Sequence, residues 1–127
     1  MYRDFFFETI RAMKKIEHIG IAVKSIENGN SLFSRLFNSA PYKSESVESE
    51  GVKTSFFKLG ESKIELLEAT TATSPIAKFI EKKGEGIHHI AFEVEDIYAE
   101  MKRLQEEGFT LLNTTPKQGA DNKMICF

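Results

Sequence analysis

Histidine is scarce in this chain, and its placement is where chemistry first becomes legible. His88 and His89 stand together in GEGIHHIAFEVEDI (84–97), at the front of an alternating apolar run, and His18 stands in IEHIGIAVKSI (16–26). With a shift of 71 positions the two segments overlie: Ile16 meets Ile87, His18 meets His89, Ile19 meets Ile90, Val23 meets Val94 and Ile26 meets Ile97. Several apolar positions match by chance, but a histidine held in the same register points to a diverged internal repeat. A pseudo-twofold arrangement of duplicated strands brings such a pair into one cleft.

Glu65 lies in KIELLEA, where strand alternation sets it on one face with Lys63 and Leu67. A carboxylate on a largely apolar strand needs a partner or a metal. Two imidazoles and one carboxylate suit a borderline divalent ion such as Co²⁺, Ni²⁺ or Zn²⁺. Taken singly, His18 reads as a structural or surface histidine and Glu65 as an ordinary charged strand residue. The repeat is what sets His18 and His89 apart. His88, by alternation, faces away from His89 and reads as a supporting or structural residue.

Other chemistries find little support. There is no HExxH pair, no glycine-rich phosphate loop with its lysine and no Ser-His-Asp signature, and Cys126 has no histidine nearby in sequence. One cysteine excludes an intrachain disulfide and suits a reducing compartment. A net charge of −2 without a broad basic patch argues against nucleic acid as the main partner. The apolar run Phe5–Phe7 is far too short to span a bilayer. The acidic run SESVESEG (44–51) and the dispersed Lys82, Lys83, Lys117 and Lys123 read as solvated surface, with an anionic substrate as the sharper reading for the lysines.

The elements that must position these residues follow from periodicity and punctuation. Residues 1–13 read as an extension with Phe5, Phe6, Ile10 and Met13 on one side of a short helix. Strand 15–23 is followed by Ser25 as a cap and a helix over 26–37, weakened by Gly29. Residues 41–49, 51–60 and 62–69 read as three successive strands, with reversals at Gly51 and at 60–62. A helix over 74–84 carries Pro75 in its first turn and Gly84 as its stop. Strand 87–94 then opens the second copy, and Asp96 caps a helix that ends at Gly108. Residues 109–116 and 122–127 are predicted as two more strands, joined by a polar loop at 116–123. The first copy has three strands after its helix and the second reaches two. The counterpart of SKIELLEA is expected near position 133.

Several stretches together resemble the methylmalonyl-CoA epimerases, a group within the vicinal oxygen chelate superfamily that also includes glyoxalase I. They are IEHIGIAV, GVKTSFFKLGESKIELLEA, SPIAKFIEKKGEGIHHIAFEVEDI and TPKQGADNKMICF. The resemblance covers about residues 14–127. It implies an α+β fold of paired βαβββ modules: a single domain over 14–127, with module one at 14–70, a linker helix at 71–85 and module two at 86–127. It implies a divalent metal held by His18, Glu65 and His89, with Co²⁺ first and Ni²⁺, Zn²⁺ or Mn²⁺ as alternatives. The family's fourth ligand, a glutamate in a segment resembling GVLxEL, belongs to the final strand that module two is expected to lack. Glu65 is implied to help in proton transfer. Some members carry a glutamate where this chain has Thr54, which cannot act as a carboxylate base. The loop TPKQGADNK resembles one that lines the pocket, so Lys117, Gln118 and Gly119 are implied substrate contacts.

The resemblance further implies an acyl-CoA substrate, a homodimer, a cytoplasmic location and no membrane partner. A glyoxalase-type isomerase of glutathione hemithioacetals and a non-catalytic binding protein of the same fold are the rival expectations.

Overall fold

The computed structural model describes residues 13–119 and 122–127. The extension expected over 1–13 lies outside the described residues except for Met13. The described residues divide into two compact units, one formed by Ile16–Ala91 and the other by the described residues on either side of it.

The first unit is built on a sheet whose strands are β1 (Met13–Ala22), β2 (Lys43–Val47), β3 (Val52–Leu59), β4 (Ser62–Ala69) and β5 (Gly86–Val94), in the order β2-β3-β4-β1-β5. β4 lies antiparallel to β3 and parallel to β1, with Gly20 beside Glu65 and Ala22 beside Leu67. Helix α1 (Ile26–Phe37) begins at Ser25, whose hydroxyl accepts from the Asn28 amide, and ends at Asn38 in the left-handed conformation. Helix α2 (Pro75–Lys83) begins at Ser74, whose hydroxyl accepts from the Ala77 amide, and has proline in its first turn.

Alternation along the strands divides the apolar residues between two faces. On one, Phe57, Ile64 and Leu66 pack with Val23, Ile26, Phe33 and Phe37 under α1. On the other, Ala22, Val52 and Leu67 pack with Ile76, Phe79 and Ile80 of α2. Gly29, expected to weaken α1, is buried, and a Cβ there would lie 2.9 Å from Leu66 Cδ1. The missing side chain lets the helix settle on β4, so packing outweighs the propensity cost.

In the second unit, helix α3 (Ile97–Glu106) starts at Asp96, whose carboxylate accepts from the Tyr98 and Ala99 amides. The strand predicted over 109–116 does not form. Asn113 and Phe127 account for the difference. Leu112 N donates to Phe127 O, but beside it the Asn113 amide side chain donates to Thr115 O and accepts from Phe127 N, so side-chain bonds interrupt a ladder, and Pro116 has no amide to donate. The pairing falls instead on β6 (Lys117–Gln118) and β7 (Met124–Ile125), two residues each.

The compact units do not coincide with the two sequence modules. The opening strand of the second copy lies next to β1 in the first unit's sheet. No described helix is long and apolar enough to cross a membrane.

Candidate metal centre

His18 comes from β1, Glu65 from β4 and His89 from β5, all within the first unit. His18 Nε2 lies 2.9 Å from His89 Nε2 and 3.3 Å from Glu65 Oε1, and the third side, His89 Nε2 to Glu65 Oε1, is 3.6 Å. Metal bonds of about 2.0–2.2 Å set neighbouring ligand atoms roughly 3–3.5 Å apart, so this triangle has the dimensions of one face of a coordination shell. The two rings meet nearly perpendicular, at 86°. Glu65 is only 4% exposed. A carboxylate at that depth needs compensation, and here it faces two ring nitrogens. Among the described residues, His18, Glu65 and His89 make a donor set suited to a divalent ion.

The local reasons for this meeting are specific. The parallel β1–β4 register sets Glu65 beside Gly20, two residues from His18 on the same face. A Cβ on Gly20 would lie 2.3 Å from Cε1 of the His89 ring and 2.6 Å from each of its nitrogens. The ring thus occupies space that any side chain at position 20 would claim. Sequence reading missed Gly20. Its counterpart in the repeat is Ala91, also small, and that was the available signal.

Each histidine is also held from behind. Glu17 Oε1 lies 3.3 Å from His18 Nδ1 and 3.2 Å from Lys63 Nζ. Partial burial alone raises the Glu17 carboxyl, but the hydrogen bonds from Lys63 and His18 and the attraction of those two groups together outweigh it and hold the pKa below the ordinary 4.5. His88 does not stand apart from His89 as alternation predicts: its Nδ1 is 2.9 Å from His89 Nδ1. Its ring also meets Phe79 edge to face, with centroids 5.0 Å apart. Burial, and then the adjacent His89 imidazole, lower the His88 pKa below 6.5, with Glu65 acting in the opposite direction.

Thr54 is buried on β3, and its cross-strand partner on β2 is Glu45. Cross-strand partners share a face, so Glu45 belongs to the face that carries Glu65. Sequence reading passed over it within an acidic run. Glu45 Oε1 pairs with Lys43 Nζ at 2.5 Å. Lys117, Gln118 and Gly119 lie in the second unit, in the β6–β7 hairpin. There Gly119 N donates to Lys123 O, Gln118 Nε2 donates to Asn122 Oδ1, and the Lys117 ammonium lies over the Phe127 ring.

A model of the Glyoxalase/Bleomycin resistance protein/Dioxygenase superfamily matches residues 17–127. An uncharacterized Bacillus subtilis protein, YqjC, is 40% identical over 91% of this chain and 82% of its own length. The ethylmalonyl-CoA/methylmalonyl-CoA epimerase of Cereibacter sphaeroides is 37% identical over 89% of this chain and 86% of its own. A variant of the Streptomyces coelicolor methylmalonyl-CoA epimerase, solved with 2-nitronate-propionyl-CoA, superposes with a TM-score of 0.86 at 30% identity, covering 91% of this chain and 87% of that one.

Proposed function

This chain belongs to the Glyoxalase/Bleomycin resistance protein/Dioxygenase superfamily, and on that premise we propose that it is a metal-dependent epimerase of methylmalonyl-CoA. The observation that carries the reading is the convergence of His18, Glu65 and His89 in a chain so similar to curated epimerases.

The residues fit a divalent ion. Nε2 of His18, Oε1 of Glu65 and Nε2 of His89 would hold it, with Co²⁺ the first choice and Ni²⁺, Zn²⁺ or Mn²⁺ the alternatives. When bound, the ion supplies Lewis-acid stabilisation of negative charge developing on the thioester oxygen. The protein must break the α-carbon–hydrogen bond on one face and return a proton to the other. Atoms and oxidation state balance without a redox partner. Glu65, beyond its role as ligand, is one carboxylate for proton transfer, and Glu45 on the same face is the second. Phe56, 2% exposed and the cross-strand partner of both Glu65 and Lys43, fills the face between the two carboxylate strands and limits water near an exchanging proton.

The same reading makes 14–127 one vicinal oxygen chelate domain with modules at 14–70 and 86–127. It places Lys117, Gln118 and Gly119 at the acyl-CoA, and the working protein as a cytoplasmic homodimer. The repeat supports the two modules, and the resemblance of the 116–123 loop supports the substrate contacts.

Epimerisation of methylmalonyl-CoA in deuterated water with added Co²⁺ tests the proposal. Deuterium entering the α-carbon is the expected result. Turnover only of a glutathione hemithioacetal would replace it with a glyoxalase-type reaction, and saturable ligand binding with neither turnover would leave a binding protein.

A further inference from the structure

The geometry points to Glu17, pinned by Lys63, as the positioning residue that presents His18 to the metal. This inference rests on the metal-centre reading above and adds to it an ordering of the two histidines.

His18 has two ring nitrogens with opposite duties. Nε2 is one corner of the triangle with His89 and Glu65. Nδ1 lies 3.3 Å from Glu17 Oε1. A carboxylate only accepts hydrogen bonds, so the Nδ1 proton stays on the ring and donates to Glu17. A neutral imidazole with its proton on Nδ1 has its lone pair on Nε2, aimed at the centre. An outer carboxylate of this kind fixes the tautomer and the ring plane and raises the ligand's basicity.

Glu17 cannot hold this position by chain geometry alone, because it is the immediate neighbour of His18 and strand side chains alternate. Lys63 supplies the constraint. It is the register partner of His18 across the β1–β4 pair, and its ammonium lies 3.2 Å from the same Oε1 that faces Nδ1. Glu17 and Lys63 are about equally sheltered, at 14% and 15% side-chain exposure. The pair is therefore more than a solvated surface contact, which would be worth little.

His89 is held differently. Behind its Nδ1 stands Nδ1 of the His88 imidazole, 2.9 Å away, which donates in one tautomer and accepts in the other. One histidine of the centre is thus backed by an anion and preset for a metal, and the other is backed by a ring that permits either tautomer. His18 is the fixed ligand of the site.

The test compares the full chain with Glu17→Met, which removes the acceptor at similar volume, and with Glu17→Gln, which keeps an acceptor oxygen without the charge. Co²⁺ alone is the probe, with its dissociation constant read by titration. Nitrogen-15 imidazole shifts of the metal-free protein report the His18 tautomer. Glu17→Met is expected to weaken Co²⁺ binding about 10–100-fold and to convert His18 from a single Nδ1–H form to a mixture. Glu17→Gln is expected to recover most of the affinity. A purely structural role would lower the thermal midpoint and leave the tautomer unchanged. Co²⁺ affinity and His18 tautomer both unaltered in Glu17→Met would overturn the inference. Failure of the parent chain to bind Co²⁺ would instead remove the metal-centre reading, and the metal-free tautomer comparison would still decide the role of Glu17.

Discussion

The Nε2 atoms of His18 and His89 lie 2.9 Å apart, although the two residues are 71 positions apart in the chain. Two ring nitrogens facing each other at that distance share either one proton or one cation. With the Glu65 carboxylate within 3.6 Å of both, the cation satisfies all three groups at once. Replacing His18 or His89 by Ala is expected to weaken Co²⁺ binding by more than about 100-fold, beyond the loss of an outer partner alone. Isothermal titration checks this. Chelation of the parent chain is expected to abolish deuterium exchange, and added Co²⁺ to restore it.

Gly20 matters to the centre without touching an ion. Gly20→Val would drive a side chain into the His89 ring, since even the Cβ falls 2.3 Å from Cε1. The ring is expected to swing out of the triangle, raising the Co²⁺ dissociation constant at least about 10-fold while circular dichroism stays that of the parent. Unchanged Co²⁺ affinity would mean that the ring can approach by another route.

Substitution of Glu45 is expected to separate metal binding from proton transfer. Glu45→Gln is expected to lower α-proton exchange by about 10²–10⁴-fold, the usual weight of one acid–base group, and to leave Co²⁺ affinity within about twofold. Exchange at the parent rate would assign the second proton transfer elsewhere.

The His88 environment makes the metal-free fold sensitive to acid. Its folded pKa lies below the ordinary 6.5, so just below that value the unfolded chain binds more protons than the folded one. Stability is then whole above about pH 6.5 and erodes as pH falls from there towards the lowered folded value. His88→Asn keeps an acceptor near His89 and removes the titration. Urea midpoints of the two proteins are expected to converge as pH falls through this window. Parallel curves would contradict it.

Phe57, with no exposed surface, packs against Phe33 and Phe37 under α1. Phe57→Ala is expected to cost about 3–5 kcal/mol, measured by urea denaturation. A loss of under about 1 kcal/mol would mean that the face beneath α1 collapses onto the vacancy.

Much of the fold was legible because its signals are local. Ser25 and Asp96 each cap the helix expected after them and Pro75 stands in the first turn of its helix, and alternation placed Glu65 with Leu67 away from Ile64 and Leu66. The strand expected over 109–116 failed because apolar residues within a run cannot reveal that the Asn113 side chain will bond to Phe127, fourteen residues on. The expected separation of His88 from His89 failed differently: alternation gives the direction of a Cβ, but a ring reaches further and can still meet its neighbour's.

By itself the sequence determined the repeat, the three helices, the five strands of the first sheet and the three ligand-type residues, because period, caps and register of side-chain type are written in neighbouring positions. Only the tertiary structure decided that β4 lies parallel beside β1, so that Glu65 stands by Gly20, Lys63 reaches Glu17 and the His89 ring lies in the space a side chain at position 20 would fill. Those relations join residues 45 or more positions apart. They depend on strand order and pairing register, which follow from the packing of both sheet faces together rather than from any one segment.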